Sequence, residues 1–128
     1  MIVFNGEMDP RAFKDVLGAV ITGILDGDPD AIYLDADLKS CIGTAKYACQ
    51  HPDRAIQCGI AEANMIGVAS GLASAGFKPI AHSFGTFASR RCFDQAFLSA
   101  GYAGNDITII GTDPGVSAAF NGGTHMPF

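Results

Sequence analysis

A single glutamate, Glu62, stands at the start of a predicted helix that otherwise carries no charge. The helix is predicted over residues 61–75, and no charged residue occurs from Met65 to Ala75. The dipole at a helix N-terminus favours a carboxylate, whereas dry surroundings raise the pKa of an acid toward proton sharing at neutral pH. Glu62 is therefore interpreted either as a helix-end carboxylate or as a group that exchanges a proton with a ligand.

Aromatic and cationic side chains follow later in the chain. Phe84 and Phe87 flank a Gly-Thr pair at the predicted start of another helix. Two aromatic rings at this spacing either pack in the core or form a platform on which a flat heterocycle stacks. Arg90 and Arg91 come next, and they are interpreted either as a solvated helix face or as cations that bind an anion or pair with Asp94.

A histidine and two aspartates complete the set of candidate side chains. His125 follows Gly122 and Gly123, which allow backbone and imidazole to approach a bound molecule closely. Asp35 and Asp37 stand at the end of a predicted strand, and they are not expected to form an acid/base pair.

Composition excludes several classes of function. The chain of 128 residues has 8 basic and 13 acidic residues, a net charge of -5, and no basic block, which argues against nucleic acid and anionic membranes as partners. There is no secretory leader pattern and no apolar run of transmembrane length, so a cytoplasmic protein is predicted. The four cysteines and three histidines lack zinc-site spacing; buried, reduced thiols and no metal site are predicted.

Strand and helix patterns alternate along the chain. Helices are predicted over residues 10–24, 61–75 and 86–100, and strands over 31–34, 55–58, 79–83 and 107–110. This alternation predicts the α/β class, a parallel sheet with helices on both faces. In such sheets ligands bind beyond the carboxyl ends of the strands, where residues 35–41, 59–64, 83–87 and 111–125 are expected to lie.

Three motifs in this order resemble one known family. They are Gly-Ile-Ala-Glu-Ala-Asn-Met from Gly59, the run from Ser83 to Arg91 with Phe-Asp-Gln after it, and Gly-Thr-His from Gly123. Together they resemble the pyrimidine-binding domain of transketolases, above all the separate C-terminal subunit of two-subunit transketolases. The resemblance covers nearly the whole chain and implies the thiamine-diphosphate-binding fold.

The resemblance implies a cofactor that two chains share. In that family a different domain holds the diphosphate of thiamine diphosphate with Mg or Ca, and the pyrimidine-binding domain holds the aminopyrimidine. Glu62 matches the acid that relays a proton to the pyrimidine ring nitrogen, and Phe87 matches the ring that stacks on it. Phe84 matches a residue that forms a neighbouring wall of the pyrimidine site, and Asp37 matches an aspartate near the thiazolium. The implied reaction transfers a two-carbon ketol unit from a ketose to an aldose.

Substrate contacts are implied at three further positions. His125 matches a catalytic histidine that hydrogen-bonds the sugar, and Arg11 matches an arginine that binds the substrate phosphate. Asn121 stands where many transketolases have an aspartate that contacts a sugar hydroxyl. Asp113 replaces a common phosphate-binding histidine, and Cys41 replaces a common serine. Because an acid near a phosphate repels it, an unusual or modified sugar is a possible substrate.

The sequence lacks the motif that binds metal and diphosphate in this family. We therefore expect a single pyrimidine-binding domain over residues 1–128, incomplete at its C-terminus, without the diphosphate-binding and third domains. The chain is predicted to be naturally short or truncated, inactive alone, and active in a homodimer or heterotetramer with a diphosphate-binding subunit. Three alternatives stay open: a deoxyxylulose phosphate synthase-like subunit, an oxoacid dehydrogenase β-like subunit, and a non-catalytic assembly module of the same fold.

Overall fold

A computed structural model describes residues 6–126, which are built around a four-stranded parallel sheet. The strands are β1 (Ala31–Asp35), β2 (Ala55–Gln57), β3 (Lys78–Phe84) and β4 (Thr108–Thr112), in the order β2-β1-β3-β4. Every neighbouring pair is parallel. The predicted parallel sheet is confirmed, and the carboxyl ends of all four strands therefore share one edge.

The helices connect the strands in the predicted order. They are α1 (Phe13–Gly27), α2 (Ala45–Gln50) and α3 (Glu62–Ser74). The predicted start of the first helix near Pro10 is wrong, because the Asp9 carboxylate accepts hydrogen bonds from the backbone and guanidinium of Arg11 and the helix begins only at Phe13.

Helices cover both faces of the sheet, as predicted. Every residue of β1 is buried, and its side chains alternate between two hydrophobic clusters. Tyr33 lies in the cluster formed with α1 and α2, whereas Leu34 lies in the cluster formed with α3. A strand buried on both faces explains why this segment reads as a continuous apolar run.

The predicted helix over residues 86–100 departs from regular α-helical geometry. It consists of a π-helical turn at Phe87–Arg91, a short α-helical turn at Phe93–Gln95 and a second π-helical turn at Ala96–Tyr102. We name this composite the π/α segment. π-Helical turns shift the angular position of the residues that follow them, and they are frequent at functional sites.

A buried polar network lies where β1, β3 and β4 end. Tyr33 Oη donates to Asp35 Oδ2 at 3.0 Å, and His82 Nδ1 lies 3.3 Å from the same oxygen. His82 Nε2 lies 3.1 Å from Thr112 Oγ1, and the Leu38 amide donates to Asp35 Oδ1 at 2.7 Å. All the buried polar groups of this network have partners, so they hold the three strand ends in register.

Two glycines on α1 provide a matched test of its packing. A Cβ at Gly18 would lie 2.5 Å from the carbonyl oxygen of Ile42, whereas no atom lies within 4 Å of a Cβ at Gly23. We expect Gly18→Ala to lower the free energy of unfolding by about 1–3 kcal/mol through overpacking. Gly23→Ala is expected to raise it by about 0.5–1 kcal/mol, since alanine restricts the unfolded chain. Urea denaturation of both variants measures the difference, and equal midpoints would contradict this packing of α1 on Ile42.

The cysteines differ in exposure. Cys41 and Cys49 are exposed, Cys58 is half-buried and only Cys92 is buried, so the prediction of buried thiols is wrong for the first two. Burial raises the pKa of the Cys92 thiol. None of the helices within residues 6–126 combines the length and apolarity that crossing a bilayer requires.

Candidate cofactor and substrate site

A cavity of about 270 Å³ opens at the carboxyl edge of the sheet. It collects five of the seven predicted site residues: Asp37, Glu62, Phe84, Phe87 and His125. Ala36, Leu38, Ile60 and Arg91 complete its wall. The cavity thus combines two carboxylates, two phenyl rings, an imidazole and a guanidinium, a lining suited to a flat heterocycle with polar ring atoms.

Glu62 is the first residue of α3 and is almost completely buried, at 1% relative exposure. Its Oε1 accepts a hydrogen bond from Ser83 Oγ at 3.2 Å, and its Oε2 accepts one from Arg91 Nη1 at 2.8 Å. Both partners are side chains on other elements, one on β3 and one on the π/α segment. This geometry favours the second interpretation of Glu62, a carboxylate directed into a binding site.

Three rings form the aromatic part of the cavity. The Phe84 and Phe87 centroids are 6.3 Å apart, and the His125 ring meets both phenyl rings edge-on. His125 approaches Phe87 most closely, with 5.0 Å between centroids and an interplanar angle of 76°. Edge-to-face contacts of this kind are favourable because ring edges are positive and ring faces negative. They hold the His125 loop over the cavity.

Arg91 belongs to this site although sequence reasoning did not place it there. Its guanidinium carbon lies 3.9 Å from the Phe87 ring centroid, and the guanidinium also pairs with Glu62. Of the interpretations left open for Arg91, an ion pair is observed, but its partner is Glu62 and not Asp94, because the π-helical turn directs Arg91 into the cavity. A cation four residues after an aromatic residue lies on the same helix face, and this spacing is the signal that could have identified Arg91.

Asp37 is positioned by a side chain that sequence reasoning also missed. Its backbone has a φ of 67°, in the left-handed region, and its amide donates to Gln57 Oε1 at 3.0 Å. Gln57 Nε2 lies 3.3 Å from Asp37 Oδ1 and 3.4 Å from Asp35 Oδ1. The side-chain amide of Gln57 therefore bridges the two carboxylates. Asp35 belongs to the buried network, whereas Asp37 belongs to the cavity wall.

Two predicted substrate residues lie outside this cavity. Arg11 is exposed and forms an ion pair with Asp9 at 2.7 Å, and Asn121 is exposed in a 3-10 turn at Ala119–Asn121. Cys41 and Asp113 line a separate pocket of about 390 Å³ beside α1. Within residues 6–126, no group of three or more histidine, cysteine, aspartate or glutamate side chains is arranged to hold a metal ion.

Known proteins match this chain along most of its length. The family model of the transketolase pyrimidine-binding domain matches residues 9–128. A 6-deoxy-6-sulfo-D-fructose transketolase subunit, SqwH, from Clostridium sp. (strain MSTE9) is 44% identical over 96% of this chain and 38% of its own length. A 1-deoxy-D-xylulose-5-phosphate synthase from Cutibacterium acnes is 34% identical over 76% of this chain and 15% of its own length.

A solved structure supports the same relationship. It is described as a split gene transketolase, inactive beta4 tetramer, and it superposes with a TM-score of 0.68 at 34% identity, covering 78% of this chain and 33% of that one. The chain therefore spans between 15% and 38% of the length of these relatives. Because the family model covers nearly all of the sequence, the chain belongs to the transketolase pyrimidine-binding domain family.

Proposed function

We propose that this chain supplies the pyrimidine half of a thiamine diphosphate site in a two-chain transketolase. The observation that carries the proposal is the buried Glu62 carboxylate in one cavity with Phe84, Phe87 and His125. The complex would be a transferase of carbohydrate metabolism that moves a two-carbon ketol unit from a ketose to an aldose. The cytoplasm is the compartment we propose for it.

The cavity fits the aminopyrimidine of this cofactor. A flat ring between the phenyl walls can reach the Glu62 carboxylate, which would accept a hydrogen bond from the ring nitrogen and relay its proton. Ser83 holds the other carboxylate oxygen and thus orients it. Phe87 would stack on the ring, Phe84 would close the side, and Asp37 would lie near the thiazolium. When bound, the cofactor supplies a carbon nucleophile and an electron sink.

The substrate would enter over the histidine. His125 is half-buried at the cavity wall, and Thr124 Oγ1 lies 3.0 Å from its Nδ1, so its other ring nitrogen is the one available to a sugar hydroxyl or carbonyl. A donor at that position stabilises charge as it develops on the carbonyl oxygen. Asn121 and Arg11 are proposed to contact the remainder of the sugar, although both lie outside the cavity of the chain by itself.

The other half of the site would come from a partner. We propose that residues 1–128 belong to one pyrimidine-binding domain, and that a diphosphate-binding subunit holds the diphosphate and its Mg or Ca. The relative described as a split gene transketolase supports this division between two chains. The assembly would be a homodimer of such pairs, that is, a heterotetramer.

The donor sugar can be narrowed by the relatives. SqwH is described as acting on 6-deoxy-6-sulfo-D-fructose, and it is 44% identical to this chain. Asp113 and Asn121, the departures from common transketolases, also favour a sugar other than the ordinary phosphates. We therefore propose a ketose with a modified terminal carbon, and 6-deoxy-6-sulfo-D-fructose is the first donor to assay.

Reconstitution tests the proposed function. The chain and a diphosphate-binding transketolase subunit are purified separately, mixed, and titrated with thiamine diphosphate in the presence of Mg²⁺. We expect binding heat and ketol transfer only in the mixture, because each chain carries half of the site. If the chain alone bound thiamine diphosphate as tightly as the mixture does, the proposal that it carries only half of the site would be wrong. A mixture that assembles but shows no turnover would favour a non-catalytic assembly module.

An assay with pyruvate distinguishes the second candidate function, that of a deoxyxylulose phosphate synthase, from transketolase. The synthase relative from Cutibacterium acnes keeps a deoxyxylulose phosphate synthase-like reaction in consideration. That enzyme class releases carbon dioxide from pyruvate, whereas ketol transfer does not. Carbon dioxide release by the reconstituted complex, with no transfer from ketoses, would replace transketolase with the synthase as the proposed function.

A further inference from the structure

The Arg91 guanidinium makes the same two contacts that the proposed aminopyrimidine requires. It stacks on the face of Phe87, with its carbon 3.9 Å from the ring centroid, and it donates to Glu62 Oε2 at 2.8 Å. The Glu62 side chain is 1% exposed, whereas the Arg91 side chain is 45% exposed. A long, half-exposed side chain thus reaches inward to a fixed and buried carboxylate.

The two groups are alike in shape and charge. A guanidinium is planar and cationic, with N–H donors in its plane and a face that stacks on aromatic rings. An aminopyrimidine with a protonated ring nitrogen is also a planar cation with N–H donors in its plane. Both can satisfy a carboxylate at their edge and a phenyl ring at their face, but two planar groups cannot occupy the same face of Phe87 together.

We propose that Arg91 is a placeholder for the cofactor's pyrimidine ring. It neutralises the buried Glu62 charge and covers Phe87 until the pyrimidine displaces it, and Ser83 stays on the other carboxylate oxygen throughout. Without such a partner, an ionised carboxylate buried in this cavity would be strongly unfavourable. This proposal rests on the proposed function and adds an affinity-setting residue to it.

The structure contains space for the displaced side chain. A second cavity of about 500 Å³ shares the wall formed by Phe87 and Arg91 and is also lined by Thr86, Arg90, Gly123 and Thr124. Because Arg91 lines both cavities, we expect rotation of its side chain about its own bonds to carry the guanidinium from the Glu62 cavity into the neighbouring one. The exchange therefore requires no movement of the sheet or of α3.

Competition of this kind weakens apparent affinity. If Arg91 covers the site most of the time, the apparent dissociation constant rises by the inverse of the open fraction. For an open fraction of about 10–30%, removal of the guanidinium tightens binding of thiamine diphosphate about three- to tenfold. A residue that instead holds Glu62 in place for the cofactor would have the opposite effect.

Calorimetric titration of the reconstituted complex with thiamine diphosphate tests the placeholder. Arg91→Ala is expected to bind about three- to tenfold more tightly than the wild type, and Arg91→Lys, which keeps the charge but not the planar face, should lie between them. Lys46→Ala removes one exposed positive charge on α2, outside both cavities, and should bind like the wild type. Weaker binding by Arg91→Ala overturns the proposal, and absence of binding by the wild-type complex overturns the proposed function with it.

NMR spectroscopy of the wild-type complex tests the same proposal if Arg91→Ala does not fold. The face of Phe87 shields the Arg91 side-chain protons, so their NMR resonances in the arginine-labelled wild-type complex are expected upfield of ordinary arginine values. Saturation with thiamine diphosphate should return them to ordinary values as the guanidinium leaves the ring. Resonances that stay shielded at saturation would show that Arg91 remains on Phe87, and the placeholder would be wrong.

Discussion

Glu62→Gln in the reconstituted complex is expected to lower the rate of ketol transfer about 10²–10⁴-fold, the range typical of a lost general acid/base. Glutamine has the same size, and its single carbonyl oxygen can still accept the hydrogen bond from Ser83, but its amide cannot relay a proton. Steady-state kinetics at saturating cofactor measure the loss. Exchange of the thiazolium C2 proton with deuterium in the bound cofactor should slow in parallel, because that exchange depends on the same relay.

Glu7→Gln is the matched control for this prediction. Glu7 is the only other glutamate in the sequence, and it lies exposed near the start of the described chain. The control should transfer ketol units at the wild-type rate. If Glu62→Gln is folded, binds thiamine diphosphate and also turns over at the wild-type rate, Glu62 is not the relay, although the fold and family would stand.

Asp35→Ala is expected to lower the free energy of unfolding by about 2–4 kcal/mol. The carboxylate is 2% exposed, and its loss leaves Tyr33 Oη, His82 and the Leu38 amide without their acceptor in a buried environment. Urea denaturation of the purified chain measures the change. Asp53→Ala removes an exposed aspartate and is expected to stay within about 0.5 kcal/mol of the wild type.

The contribution of Asp35 to the free energy of unfolding also depends on pH. Burial raises the pKa of this carboxyl, but the hydrogen bonds from His82, Leu38 and Tyr33 outweigh burial and hold the pKa below its ordinary value. A folded-state pKa below the unfolded one adds stability above the unfolded pKa, and this stability is lost as the pH falls through the folded pKa. The difference between wild type and Asp35→Ala should therefore be constant near neutral pH and shrink below about pH 4. A difference that grows on acidification would contradict this network.

Local patterns were sufficient for the order of elements and for much of the cavity. The apolar run of β1 and the uncharged helix after Glu62 are short-range signals, and parallel strands place their carboxyl ends at one edge. That topology predicts that Glu62, Phe84, Phe87 and His125 lie together at this edge. The start of α1 was not predictable in this way, because the Asp9–Arg11 hydrogen bonds compete with the helix for the same short segment.

The sequence by itself therefore determined the fold class, the family and the side chains at the edge of the sheet, since periodicity and motifs are encoded locally. Only the tertiary structure decided which of these side chains touch. Arg91 reaches Glu62 across 29 positions, and His82 reaches Asp35 across 47. The first contact depends on the angle of a π-helical turn and the second on the register of two strands. The spacing of residues along the sequence predicts neither the angle of that turn nor the register of those strands, because both result from the packing of the whole chain.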